Sequence, residues 1–110
     1  MKLPNKENAV VDIAKIRDYC LNPNHSVGKH KAHVFKSVLN LTVQDASILR
    51  DTLLKGVLQA EATIGEQDEY GQRYTVDISV KFGDKKAQVR SGWIIRTDED
   101  IPRLTTCFVL

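Results

Sequence analysis

Residues 73–82 alternate without a break. Tyr74, Val76, Ile78, Val80 and Phe82 are apolar, and Arg73, Thr75, Asp77, Ser79 and Lys81 between them are polar. A two-residue period sends the two sets to opposite faces, so the segment reads as a β-strand buried on one side. Gly83-Asp84 is a tight-turn pair. Ala87 to Thr97 predicts a second strand, with Val89, Trp93 and Ile95 on one face. Leu104 to Leu110, rich in Thr, Phe and Val, predicts a third. Thr63 to Gln67 adds an edge strand. Short turns between neighbours imply an antiparallel meander.

Upstream the spacing is helical. Asp12 caps a short helix whose apolar residues are Ile13, Ile16, Cys20 and Leu21, and Asn22-Pro23-Asn24 ends it. His25-Ser26-Val27-Gly28 is a loop, and a second helix runs from near Gly28 to about Leu39, closed by Asn40. Thr42-Val43-Gln44-Asp45 opens a third in the manner of a capping box. Val43, Ala46, Leu49, Leu53, Val57 and Leu58 form its stripe, which predicts a helix to about Ala60. Gly56 weakens it by about 1 kcal/mol without ending the pattern. Helices followed by strands give an α+β fold, with N-terminal helices packed on one face of a C-terminal antiparallel sheet of three to four strands. The length, 110 residues, suits a single domain over 1–110.

Charge changes the picture more than composition does. Residues 1–44 hold seven Lys/Arg against three Asp/Glu, and residues 45–110 hold nine against eleven. Tyr19 to Gln44 contains no acid, yet it carries His25, His30, His33, Lys29, Lys31 and Lys36. Such a segment attracts an anionic partner, phosphate first, or is simply a solvated basic helix face. No apolar run spans a bilayer, and no apolar stretch follows the charges at the N-terminus, so neither a membrane segment nor a secretory signal is expected. Cys20 and Cys107 lie far apart and form no CxxC pair, so the expectation is a reduced cytoplasmic protein without a disulfide scaffold or structural zinc.

On a helix over 29–39, Ala32, Val34, Phe35, Val38 and Leu39 form an apolar arc, and Lys31 falls inside it. A lysine there either snorkels to solvent or meets an anion. With a helix start and Gly28 beside it, the anion it suits is a phosphate. His30 and His33 lie one turn apart with no third ligand at usual spacing, so no metal site and no cofactor is expected. His25 is placed for proton transfer, or is a surface loop residue. On the sheet, Ser91 and Trp93 share a face, Arg96 lies opposite near the strand end, and Thr105 and Thr106 take opposite faces. GxSxG, P-loop and dinucleotide fingerprints are all absent.

The run Asn22-Pro23-Asn24-His25-Ser26-Val27-Gly28-Lys29-His30-Lys31-Ala32-His33-Val34-Phe35 comes first. Val89-Arg90-Ser91-Gly92-Trp93-Ile94-Ile95 and Pro102-Arg103-Leu104-Thr105-Thr106-Cys107-Phe108 follow it. Together they resemble an uncharacterised bacterial domain family of about this length. That family is similar to the small toxin nucleases of the barnase, EndoU, colicin and RelE fold group. The resemblance implies a metal-independent RNA endonuclease of a toxin–antitoxin or contact-dependent system, cleaving through attack by a ribose 2′-hydroxyl. It implies His25, Lys31, Ser91 and Thr106 as catalytic and Trp93 as substrate-binding. Lys29 and His30 join the substrate-binding set from the basic cluster, and Arg96 from its charge and strand position. The group often has a histidine late in the sheet, and here every histidine precedes residue 34. The implied partners are RNA, tRNA among them, and a small antitoxin or immunity protein. The alternative is a non-catalytic binding module, itself an antitoxin, immunity or accessory domain, that holds a protein or nucleic acid.

Overall fold

A computed structural model describes all of residues 1–110. A single helical turn, α1 (Ile13–Lys15), starts at Asp12, whose carboxylate accepts from the Ala14 amide at 3.0 Å. It runs directly into a wider π turn over Ile16–Cys20. Helix α2 spans Lys29–Leu39 and α3 spans Ala46–Gly56. Four strands follow: β1 (Ala62–Asp68), β2 (Gly71–Phe82), β3 (Lys85–Arg96) and β4 (Pro102–Val109). They pair antiparallel in the order β1-β2-β3-β4, so the α+β meander expected from the sequence is the architecture. Gly83, at φ 63, and Asp84 form the two-residue turn between β2 and β3.

The core lies between the helices and one face of the sheet. Phe35 and Leu39 of α2 and Leu49 and Leu53 of α3 meet Tyr74, Val76, Ile78, Val80, Val89, Trp93, Leu104 and Cys107. Asn40 closes α2 in the left-handed conformation at φ 58, its amide donating to Lys36 O. A 3-10 turn over Val43–Asp45 leads into α3, and the Thr42 amide donates to the Asp45 carboxylate at 2.9 Å, completing the capping box.

Two expectations about the helices need correction. Helix α3 stops at Gly56 rather than Ala60, and Leu58 is exposed. A side chain at Gly56 would come within 2.5 Å of Ile78, so the glycine is there for close approach to β2, and the chain turns away at that contact. Val34 and Val38, assigned to the apolar arc of α2, are exposed. No helix is long and apolar enough to cross a membrane.

Candidate functional site

Four segments converge beside the edge strand β4. The first is the π turn, which carries Tyr19 and Cys20. One residue more per turn than an α-helix rotates these side chains away from the α1 register, and such insertions often accompany function. The second is the His25 loop. Its imidazole Nδ1 accepts from the Val27 amide at 3.0 Å and the Gly28 amide at 2.9 Å. Two donors at Nδ1 leave the ring proton on Nε2, so His25 presents an N–H outward. The third is the first turn of α2, with Lys31. The fourth is a bulge in β4. Gly92 opposes Thr106 and Trp93 opposes Leu104, leaving Thr105 as the extra residue.

Lys31 is half-buried, and its ammonium donates to the Tyr19 hydroxyl at 2.8 Å. It also lies 5.0 Å from the Tyr19 ring centroid and 6.0 Å from that of Phe108. The Tyr19 ring in turn meets the His25 ring edge-on at 4.9 Å. The lysine thus meets aromatic faces and a hydroxyl, and makes no ion pair, unlike Arg17, Arg90 and Arg103, each held by a carboxylate. An unneutralised ammonium on a half-buried stem binds an incoming anion more strongly than a solvated surface lysine does.

Three open clefts flank this group. One, of about 650 Å³, is lined by Asp12, Asp18, Tyr19, His25, Val27 and Thr105, among others. Asp18 accepts from Nε and Nη2 of Arg17, which lowers its carboxyl pKa. Asp12 uses one carboxylate oxygen as the helix cap and leaves the other free. The second groove, about 460 Å³, runs along the polar side of α2, where Lys29, His30, His33 and Lys36 stand over an apolar floor of Leu21, Ala32 and Leu41. No carboxylate lines it. His30 borders both this groove and the shallow cleft formed by Lys31, Val34 and Phe108.

Of the residues singled out in the sequence, Lys31 and His25 both meet the Tyr19 ring, while Lys29 and His30 line the groove along α2. Ser91 and Trp93 do neither. Both are buried in the core, where the Ser91 hydroxyl donates to Val76 O at 2.6 Å and accepts from the Trp93 indole at 2.9 Å. Strand alternation placed them correctly on one face, but that face is the one the helices cover. Their role is to satisfy the indole N–H inside the core. Replacing Ser91 by alanine leaves that N–H without a partner, and the expected loss is about 1–3 kcal/mol of unfolding free energy by chemical denaturation. A native-like denaturation midpoint would show that the indole finds another acceptor.

Arg96 also falls away. It lies four residues beyond Gly92 on β3, about 13 Å along the strand, where Glu99 approaches to 3.8 Å. Thr106 has a buried hydroxyl with no hydrogen-bond partner and does not open on the cleft. The bulge gives the cleft position to Thr105 instead. Tyr19, Asp12 and Thr105 are the site residues that sequence reasoning missed. A signal for Tyr19 existed: a lysine in an apolar arc calls for a polar neighbour, and Tyr19 carries the nearest aromatic hydroxyl upstream.

The two cysteines, remote in sequence, both belong to the core between the helices and the sheet. Cys20 ends the π turn, Cys107 lies opposite Ser91 on the core face of β4, and both are free, fully buried thiols. Hydrogen bonding from the Cys107 side chain lowers the Cys20 pKa despite burial, with the Cys107 amide and the Lys31 charge acting in the same direction. The same contact raises Cys107.

Residues 2–110 match the family described as "Domain of unknown function (DUF6883)". No curated protein matches the chain.

Proposed function

The chain belongs to this family over nearly its whole length, and we propose, from the chemistry of its site, that it is a metal-independent RNA endonuclease. The observation that carries this reading is the Lys31 ammonium, free of any carboxylate, held by the Tyr19 hydroxyl in a cluster with the outward N–H of His25. Cleavage through the ribose 2′-hydroxyl needs a group to take that proton, positive charge on the phosphoryl oxygens, and a proton for the departing 5′-oxygen. Asp12, with one free carboxylate oxygen on the cleft it lines with Tyr19 and His25, takes the 2′-proton. Lys31 and His25 Nε2–H hold the developing phosphorane charge. Tyr19, whose hydroxyl oxygen accepts from Lys31, keeps its own proton to deliver to the leaving oxygen. The products are a 2′,3′-cyclic phosphate and a 5′-hydroxyl.

The groove along α2 supports a polymeric substrate. Lys29, His30, His33 and Lys36 offer cationic contacts to flanking phosphates. A structured RNA such as tRNA is the proposed substrate, and a small acidic antitoxin or immunity protein covering the groove is the proposed partner. The two free thiols suit a reducing cytoplasmic setting. The same groove favours a second reading, an RNA-binding module without chemistry. Incubating the protein with total tRNA and a chelator distinguishes the two. Discrete fragments ending in cyclic phosphate, reduced at least tenfold by Tyr19→Phe, are the expected result. Salt-sensitive binding with intact RNA would replace the enzyme by the binding module.

A further inference from the structure

We propose that the cleft between the first half of α2 and the C-terminal end of β4 is a nucleobase subsite, in which Phe108 stacks one base of an RNA whose adjoining phosphate lies on Lys31. The proposal rests on the nucleolytic reading for its ligand and extends it to a second position. The cleft, about 410 Å³, is lined by His30, Lys31, Val34, Phe108 and Val109. Phe108 is a half-buried ring that lies outside the core cluster. It pairs across the strands with Arg90, which is held by Asp77 on the face of the sheet that the helices leave open. Strand β4 is an edge of the sheet, and the bridge from Val10 reaches it only near its start, at Arg103. The ring can therefore be approached from the edge.

Charge and shape together select the ligand. The Lys31 ammonium lies 6.0 Å from the Phe108 centroid, donates to the Tyr19 hydroxyl at 2.8 Å and pairs with no carboxylate. Val34, exposed on α2, extends the apolar surface beside the ring. An apolar floor with an unneutralised cation at its rim fits a flat apolar group joined to an anion, and a nucleotide is such a group. The other rings are committed. Trp93 is buried with its indole bonded to Ser91, and Tyr19 meets His25 edge-on. The substrate-binding part expected of Trp93 thus falls to Phe108. Every base has a π face, so this platform holds bases with little regard to sequence. A stacked base also fixes the nucleotide at a second point, which orients the phosphate on Lys31.

The test is calorimetric titration of the whole chain with 5′-AMP and with ribose 5-phosphate, in chelator at one salt concentration. The two probes share sugar and phosphate and differ in the base. Expected is 5′-AMP binding about tenfold tighter, the scale of one base on an aromatic face, with nuclear Overhauser contacts from the adenine protons to the Phe108 ring. Phe108→Leu, which keeps an apolar side chain, should erase that tenfold difference and leave ribose 5-phosphate unchanged. Lys31→Ala should weaken both probes alike. No binding of 5′-AMP, equal affinity for the two probes, a difference that survives Phe108→Leu, or undiminished binding by Lys31→Ala would each overturn the subsite. If Phe108→Leu does not fold, the wild-type ratio and the adenine–Phe108 contacts decide. The tRNA incubation is read separately. Base-dependent binding with intact tRNA would end the endonuclease reading and keep the subsite, and cleaved tRNA without a preference for 5′-AMP would do the opposite.

Discussion

Lys31→Ala lowers RNA cleavage about a thousandfold, the scale expected when one preorganised donor to a developing oxyanion is removed, and leaves the thermal midpoint within a few degrees. The two halves of that expectation have different origins. Lys31 is half-buried and forms no ion pair, so its removal strands no buried charge. The Tyr19 hydroxyl loses its donor but lies at an open cleft where water replaces the ammonium. What is lost is charge at the phosphate, which the substrate experiences and the folded state does not. Lys31→Arg tests geometry separately. A guanidinium keeps the charge but cannot retain a point contact with one hydroxyl on the same stem, so activity should recover only in part. The measurement is fragment yield per unit time from tRNA at equal fractions folded. Undiminished cleavage by Lys31→Ala would remove the lysine from the mechanism and move attention to the α2 groove.

The strands were legible in the sequence because alternation is imposed by burial on one face, and β2 and β3 are buried that way along most of their length. The site was legible only where it follows regular periodicity. Lys31 stood out because it breaks the arc of α2. Tyr19 and Thr105 did not, because each lies on an irregularity that shifts the register: the π turn at Ile16–Cys20 and the bulge between Gly92 and Trp93. Periodicity assumes regular elements, so it misassigns the residues displaced by insertions. Alternation set Thr105 and Thr106 on opposite faces without deciding between them, and the resemblance implied Thr106, whose hydroxyl is buried. Ser91 and Trp93 were misread differently. The alternation was right, but a strand face does not state which side the helices will cover.

Gly28→Ala is expected to cost about 3 kcal/mol or more, at the upper end for an inserted methyl, and so to lower the thermal midpoint by more than about 10 °C in a domain of this size. The reason is contact rather than backbone freedom. Gly28 has φ −79 and ψ −11, which any residue adopts. A methyl there would lie 2.2 Å from the Tyr19 carbonyl oxygen and 2.9 Å from the Tyr19 ring. Neither can yield cheaply. The carbonyl belongs to the π turn, and the ring is wedged between His25 and Lys31. The same glycine donates its amide to His25 Nδ1 and accepts the Ala32 amide at 3.0 Å, so displacing it moves the histidine and the start of α2 together. Cleavage by the folded fraction should therefore fall as well, which separates this variant from Lys31→Ala, where chemistry fails and stability holds. Val27→Ala is the control, since Val27 is 64% exposed and its removal touches neither contact. If Gly28→Ala melts with the native protein and cleaves as well, the π turn and α2 can slide apart without consequence. The close seating of Lys31 on Tyr19 would then not be what makes the site.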